Sequence, residues 1–475
     1  MSNKNTPTAG DTRRNFIRKS SFAAAAAAAG SSLLNACKTS ETGSKATPVY
    51  GQSQAPSPGR VIGANDRVIM GYIGVGGQPS NCPGMGLGHI RQQQPKVGEL
   101  NITQAAVCDL WDVRNDVAKK AIGTSDVKSY TDYRKLLDRK DIDAVLVATH
   151  DVWHAPCSID AMLAGKHVYC EKPMVRYLDE AFAVQDAVKR TGKVFQVGSQ
   201  GTSAEGWHRA AAIIRSGKMG KLVWGRGAYL RNNPSGEWNY SMPDGAENID
   251  WKAWCGQAKH RPEKFDPDYF FRWRKFYPFC TGLLGDLVPH RLYPLMLASG
   301  NPSYPKRVTC IGTQPIKSDA KTPGAHMRDV PEYVQITVEF PDGYLLSINS
   351  SSVSGKVPGF AIFGLDATME IGDSGEAIHM LPERHKAEEI EEIKEPGLRA
   401  ENQVVHAKNW LDCIRNGGTP NGNIDLAVKG QTVISLAEMS DRLGVVCFFD
   451  EATRKIKDGS GRELKPLTYG TMEKS

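Results

Sequence analysis

The sequence carries 10 cysteines but no Cys-x-x-Cys pair, which removes the zinc-ribbon and thioredoxin-type readings, and no other spacing of ligating residues suggests a metal site. It has no confident membrane span: its longest uncharged apolar run, at 20–34, is alanine-rich, short and weakly hydrophobic. A basic stripe interleaved with aromatics is also missing. The net charge is +7, and Lys4, Arg13, Arg14, Arg18 and Lys19 against Asp11 place most of that excess in the first 37 residues. The remainder is close to neutral, so neither a nucleic acid nor another polyanion is an expected partner.

What is present is a chain of 475 residues, 40% hydrophobic and 23% charged, enough for a globular protein of two domains. Thr12-Arg13-Arg14-Asn15-Phe16-Ile17 followed by the uncharged run resembles a twin-arginine export signal. Leu34-Asn35-Ala36-Cys37 resembles a lipoprotein cleavage site, with Asn35 departing from the small or branched residue usual there. Acylation of Cys37, giving a lipid anchor, and simple cleavage both remain open; either way the expected location is periplasmic. Residues 38–66, rich in Ser, Thr, Pro and Gly, read as a tether. Cysteines such as Cys108 and Cys170 lie in apolar runs and read as small core residues.

From residue 67 an apolar strand runs into Gly74, Gly76 and Gly77, the kind of turn that lets a pyrophosphate approach the backbone at a helix N-terminus. Residues 78–83 interrupt the usual spacing and leave the third glycine of the turn undecided. A second strand at 105–108 ends in Asp109, which suits a ribose 2′-hydroxyl and repels a 2′-phosphate, favouring NAD over NADP; a helix-capping role is the alternative. A third strand at 143–149 ends in Thr149 and leads to Trp153-His154 and an amphipathic helix at 155–163. Gly165 closes that helix, and a short strand delivers Glu171-Lys172-Pro173. Proline restricts Lys172, so its ammonium is aimed by the backbone. Another strand follows at 194–198. This βα alternation predicts an open parallel sheet.

The glycine turn, Val107-Cys108-Asp109, Trp153-His154, Ala164-Gly165-Lys166-His167-Val168, Cys170-Glu171-Lys172-Pro173 and Gln196-Val197-Gly198 together resemble the glucose-fructose oxidoreductase, inositol dehydrogenase and MocA family over about 67–460. The resemblance implies an α/β protein, with a Rossmann NAD(P)-binding domain at 67–200 and a C-terminal α/β domain at 201–460. The latter would have a large, mostly antiparallel sheet of the kind that often joins subunits, so a homo-oligomer is implied, and 461–475 read as a tail. Alternation at 333–340 and 344–350 around Pro341-Asp342-Gly343 predicts a hairpin in that domain. A helix at 406–415 is expected to pack back on the Rossmann domain. Cofactor contacts are implied for Gly74, Gly76, Gly77, Asp109, Thr149, Trp153, His154, Glu171, Lys172 and Gln200.

Asp286 and His290 are four residues apart around Pro289, a spacing at which helical side chains meet, and the resemblance joins them to Lys172 in one catalytic site. Oxidising a sugar alcohol requires a base beside the hydroxyl, assigned to His290. Asp286 is expected to fix the His290 tautomer, and Lys172 to stabilise the developing alkoxide. Trp207, Trp238, Trp251, Trp254 and Trp273, with Arg231, Arg272 and Arg274, are dense enough to suggest one or two sugar contacts. The expected function is an exported NAD(P)-dependent oxidoreductase that acts on a carbohydrate or glycoside with a tightly bound, recycled cofactor. The alternatives are an NAD-dependent glycosidase resembling the N-acetylgalactosaminidases of this family, and a carbohydrate-binding lipoprotein without catalysis.

Overall fold

The structure is a computed structural model that describes residues 67–77, 85–258, 261–300, 302–356 and 358–469. The export signal, Cys37, the tether at 38–66 and the insertion at 78–83 lie outside the described residues.

Six short strands form the first sheet: Val68–Ile73 (β1), Ile102–Cys108 (β2), Lys128–Tyr130 (β3), Ala144–Val147 (β4), His167–Glu171 (β5) and Phe195–Gly198 (β6). All its ladders are parallel, and the order is β3-β2-β1-β4-β5-β6. Every residue of β4 and β6 is buried, the pattern of strands covered on both faces. The helices Gly86–Gln93 (α1), Asp112–Ile122 (α2), Tyr133–Leu137 (α3), His154–Leu163 (α4) and Leu178–Thr191 (α5) alternate with these strands. The strand order reverses between β1 and β4, and sheets of this kind bind ligands at that point, beyond the strand C-termini.

Crossing into the second half are Glu205–Arg215 (α6) and Leu222–Leu230 (β7), then the short helices Trp251–Cys255 (α7), Pro267–Arg272 (α8) and Leu283–Asp286 (α9), and Pro289–Ala298 (α10). The sheet continues through Arg307–Thr313 (β8), Tyr333–Glu339 (β9), Leu345–Ser351 (β10), Phe360–Gly364 (β11), Ala367–Ile371 (β12), Ala377–Pro382 (β13) and Ile393–Pro396 (β14). After Gln403–Asn416 (α11) and Ile424–Leu443 (α12), it is completed by Cys447–Asp450 (β15), Lys455–Lys457 (β16) and Glu463–Leu464 (β17). The 11 strands lie in the order β14-β13-β12-β11-β7-β10-β9-β8-β15-β16-β17; only β7 and β10 pair in parallel. The alternation read at 333–340 is that of a half-buried strand: Val334, Ile336 and Val338 face the core while Gln335 and Thr337 are exposed. The protein therefore combines a Rossmann-type parallel sheet with a large, mostly antiparallel one.

Two features join the halves. Arg176, just after β5, forms a buried two-pronged ion pair with Glu438 of α12, at 2.8 and 2.9 Å, a geometry that satisfies both charges at once. The helix α11 returns to the first sheet, where Trp410, Leu411 and Ile414 share a core with Val68, Tyr72 and Tyr169. The expected tail is partly integral: β17 extends to Leu464, Leu467 is buried, and the Tyr469 hydroxyl lies 3.0 Å from Glu180 Oε1 and 3.2 Å from Val152 O. The eight cysteines among the described residues are free and buried. No helix among the described residues is long and apolar enough to cross a membrane.

Candidate active site

A cavity of about 960 Å³ opens at the β1/β4 switch point. Gly74 leaves β1 with φ +80°, and a Cβ there would lie 2.6 Å from the Thr149 amide. A Cβ on Gly86 would lie 2.0 Å from Gly74 O, so glycine alone lets α1 begin against the turn. Gly86 therefore supplies the close packing that the interrupted spacing left undecided. Gly74, Gly76, Gly77, Asp109, Thr149, Trp153, Glu171 and Lys172 all line the cavity.

Asp109, at the end of β2, accepts the Trp111 amide at 3.1 Å and lies 3.7 Å from the Arg114 guanidinium. Burial pushes its carboxyl upward, and Arg114 with the Trp111 and Val75 amides opposes that push. It is thus not the helix cap, a place held by Trp111, but it fixes the turn before α2 and is a candidate ribose ligand. The second domain closes this end: Trp111 donates to Gly245 O at 3.0 Å and meets Phe270 and Phe271 edge-on. These groups form a dinucleotide cradle: a glycine turn against a helix start, a carboxylate at the next strand end and aromatic walls. Its residues fit a nicotinamide dinucleotide.

Lys172 projects from the end of β5. Its Nζ donates to Asp286 Oδ1 at 2.6 Å and to the Asp286 carbonyl at 2.7 Å. Asp286 Oδ1 also accepts from Arg274 Nε at 3.2 Å, and Oδ2 from Trp238 Nε1 at 3.2 Å. Burial raises the Asp286 carboxyl, but Lys172, Arg274 and Arg231 outweigh that effect and hold it far below the usual carboxylate range. Asp286 is therefore an anchored anion, unsuited to taking a proton near neutrality. Asp151, which lines the cavity near Lys172 and Arg274, contrasts with it: burial pushes its carboxyl up to about 7, partly offset by Arg274 and Arg176.

Asp286 and His290 do not form the expected pair. The helix breaks between them: Val288 N bonds back to Leu283 O, Pro289 has no amide hydrogen, and His290 N bonds to Leu287 O. The Asp286 carbonyl is left out of the helical ladder and is taken by Lys172. The ring of His290 instead stacks on Tyr229 at 5.0 Å, with Nδ1 3.9 Å from Glu401 Oε1. Burial pulls the His290 pKa down and the Lys172 charge adds to that, while Glu401 and Asp286 pull it up. The net direction is downward, which favours the unprotonated ring, the form a general base requires.

Two implied cofactor contacts lie behind the cavity wall. His154 is buried beneath it, Nδ1 2.6 Å from Pro173 O and Nε2 3.1 Å from Thr149 O, tying the lysine turn to the β4 end. Gln200 donates to Glu171 Oε1 at 2.9 Å and to the Tyr169 hydroxyl at 3.1 Å. Glu171 also accepts from His89 at 2.6 Å and from the Lys172 amide at 3.2 Å. Burial alone would raise the Glu171 carboxyl; His89 and Lys172 bring it below its usual value. Of the tryptophans, Trp207 is core, Trp238 holds Asp286, Trp251 stacks on Trp254, and Trp254 and Trp273 line the cavity. Trp254 stacks on His150 at 4.3 Å. Glu401 and Arg114 are the contributors that the sequence reading missed: Glu401 lies in an irregular loop without a motif, and Arg114 reads as one more charge on α2.

Residues 84–199 match the GFO_IDH_MocA model, an oxidoreductase family with an NAD-binding Rossmann fold. A glycosyl hydrolase family 109 protein of Shewanella baltica is 29% identical over 235 residues, 46% of each chain. An alpha-N-acetylgalactosaminidase of Shewanella oneidensis is 29% identical over 245 residues, 48% of this chain and 49% of that one. The chain thus matches about half the length of these curated relatives. Levoglucosan dehydrogenase, solved with NADH and levoglucosan, superposes with a TM-score of 0.60 at 18% identity, covering 80% of this chain and 98% of that one. Aldose-aldose oxidoreductase from Caulobacter crescentus gives a TM-score of 0.60 at 18% identity, covering 81% of this chain and all of that one. At such identity the structural likeness is one of fold. The likeness to the GFO_IDH_MocA oxidoreductase family is therefore one of residues 84–199, within the first domain.

Proposed function

We propose that the protein is an exported, NAD(P)-dependent oxidoreductase acting on a sugar or glycoside with a tightly held, recycled cofactor, NAD in preference to NADP. The observation that carries this reading is the placement of Lys172: it lines the cavity, its ammonium is fixed by Asp286, and its charge lowers the pKa of His290, although neither Asp286 nor His290 itself lines the cavity. The nicotinamide, when bound, accepts and returns a hydride. His290 removes the proton from the substrate hydroxyl, and Lys172 donates to the oxygen as negative charge develops. Asp286 holds the lysine and stays ionised throughout. Asp109 and the glycine turn hold the adenosine and pyrophosphate ends, and Trp153, Trp254 and Trp273 wall the cavity.

The twin-arginine leader supports export of a folded chain with its nucleotide already bound, to a periplasmic site where free nucleotide is scarce. Acylation at Cys37 would tether it to a membrane. The broad second sheet suits a homo-oligomer. Cell fractionation, with Arg13→Lys and Arg14→Lys as the control, tests export; retention of wild-type protein in the cytosol would refute it.

A second reading has specific support, because curated relatives are named as family 109 glycosyl hydrolases and one as an alpha-N-acetylgalactosaminidase. In that reading oxidation, elimination, hydration and reduction leave the cofactor unchanged overall. Incubation with para-nitrophenyl N-acetyl-α-D-galactosaminide separates the two: phenol release without net nicotinamide reduction indicates the glycosidase, and accumulation of reduced nicotinamide without release indicates the dehydrogenase. Both readings require nucleotide to be released when the freshly purified protein is denatured. A protein that releases none and binds no added NAD(P) would leave the carbohydrate-binding reading.

A further inference from the structure

With both oxygens of Asp286 engaged by Lys172, Arg274 and Trp238, the proposed base at His290 lacks the carboxylate partner expected for it. One carboxylate stands in the right place. Glu401 precedes α11 in the loop after β14, and its Oε1 faces His290 Nδ1 at 3.9 Å, within ion-pair distance of a protonated ring. We propose that Glu401 is the positioning residue for His290: it selects the tautomer with the proton on Nδ1 and supports the imidazolium once Nε2 has taken the substrate proton.

The surroundings of Glu401 suit that role. Its backbone amide donates to Ser374 O at 2.8 Å, and Ser374 is in turn bound to the Glu376 carboxylate at 2.9 Å. Its second oxygen, Oε2, lies 3.5 Å from Arg291 Nη1, so one oxygen is oriented by the arginine while the other remains for the histidine. Burial raises the Glu401 carboxyl, but His290 and Arg291 outweigh it and keep the group ionised. No hydrogen bond joins His290 Nε2 to another described residue, which leaves that nitrogen for a substrate hydroxyl. The groups facing the imidazole are Lys172 and Glu171 from β5, Asp286 from α9, Tyr229 from β7, Arg291 on its own helix and Glu401. Lys172 lowers the affinity of the ring for a proton, and Glu401 is the nearest opposing charge. A carboxylate facing Nδ1 sets the tautomer and leaves Nε2 as the base.

This inference rests on His290 being the base, and the test separates the two. Full-length protein carrying isotope-labelled histidine is titrated by nuclear magnetic resonance, with the His290 signal assigned by its loss in His290→Gln. In Glu401→Gln the His290 pKa should fall by about one unit, and the Nδ1-protonated fraction should drop. In Glu401→Asp the charge remains at a longer reach, so the fall should be smaller; this variant also serves if glutamine disturbs the loop. Turnover of whichever probe the wild type accepts should show its acid limb shifted to lower pH in Glu401→Gln, with kcat reduced about tenfold or more and KM little changed. A merely structural role would move neither the His290 titration nor the acid limb. An unchanged His290 pKa and tautomer in folded Glu401→Gln overturns the inference. Wild-type turnover in His290→Gln overturns the base assignment instead and leaves the titration to report on Glu401 alone.

Discussion

Asp109→Ala separates the proposed nucleotide-selecting role of this residue from its hold on the turn before α2, because Arg114 stands 3.7 Å from the carboxylate. In the proposed binding mode Asp109 neutralises Arg114 and repels a 2′-phosphate. Removing it reverses both effects: the repulsion disappears, and the guanidinium becomes available to the phosphate. Two unit charges at about 4 Å interact by roughly 4 kcal/mol at an effective dielectric near 20. Arg114 retains 24% exposure, and solvent screening reduces that figure, so a net change of about 2–3 kcal/mol in relative affinity is expected. That corresponds to roughly 30- to 150-fold in the ratio of the NAD and NADP dissociation constants, moving toward NADP. Quenching of tryptophan fluorescence in nucleotide-stripped protein measures both constants, since Trp111, Trp153, Trp254 and Trp273 line the cavity. The substitution also removes the acceptor for the Trp111 amide, for about 1 kcal/mol of stability, the net worth of one hydrogen bond. A ratio unchanged within error, with only that stability loss, would show that Asp109 holds the turn before α2 and nothing more.

Lys172→Ala and His290→Ala should each lower turnover by about 10²- to 10⁴-fold while nucleotide content, read by absorbance after denaturation, stays near that of the wild type. Gly86→Ala forces a methyl toward Gly74 O and should deplete bound nucleotide and lower the unfolding free energy, by about 1–3 kcal/mol or more; wild-type nucleotide content would contradict the close approach. Buried His406 has its pKa pulled down to about 4, chiefly by burial and against a hydrogen bond to Val197 O. An unfolded histidine titrates near 6.5, so between those values the unfolded chain binds a proton that the folded chain refuses. Stability is therefore lost as pH falls through that window, by about 2 kcal/mol between roughly pH 7 and pH 5. Urea midpoints should show His406→Gln losing correspondingly less over the same range.

The first sheet was legible because its strands are apolar runs ending in chemistry-bearing residues, as at Asp109, Thr149 and Lys172. The hairpin around Pro341-Asp342-Gly343 was legible for the opposite reason, a strict alternation imposed by one solvated face. The spacing of Asp286 and His290 misleads because side chains four residues apart meet only if helical geometry runs through both. Pro289 starts a helix, with Asp286 before it in a separate turn, which frees the Asp286 carbonyl for Lys172. His154 was placed in the cavity because it follows Trp153, yet the helix start turns its ring inward, where two backbone carbonyls hold it. Glu401 was invisible for a more general reason: it reaches His290 across more than a hundred residues of chain, and no local period marks a side chain whose role arises from tertiary packing.

The central claim is that Lys172 and His290 act on a carbohydrate hydroxyl beside a resident nicotinamide. The most direct test mixes freshly purified protein, without added cofactor, with a panel of free sugars and para-nitrophenyl glycosides and follows the near-ultraviolet absorbance of reduced nicotinamide in a single turnover. The expected result is a rise of at most one equivalent with a dehydrogenase substrate, or a transient rise and decay with phenol release for a glycosidase. Both signals should be lost in Lys172→Ala and His290→Ala, which still carry the nucleotide. Signals of wild-type size in those two variants would contradict the account.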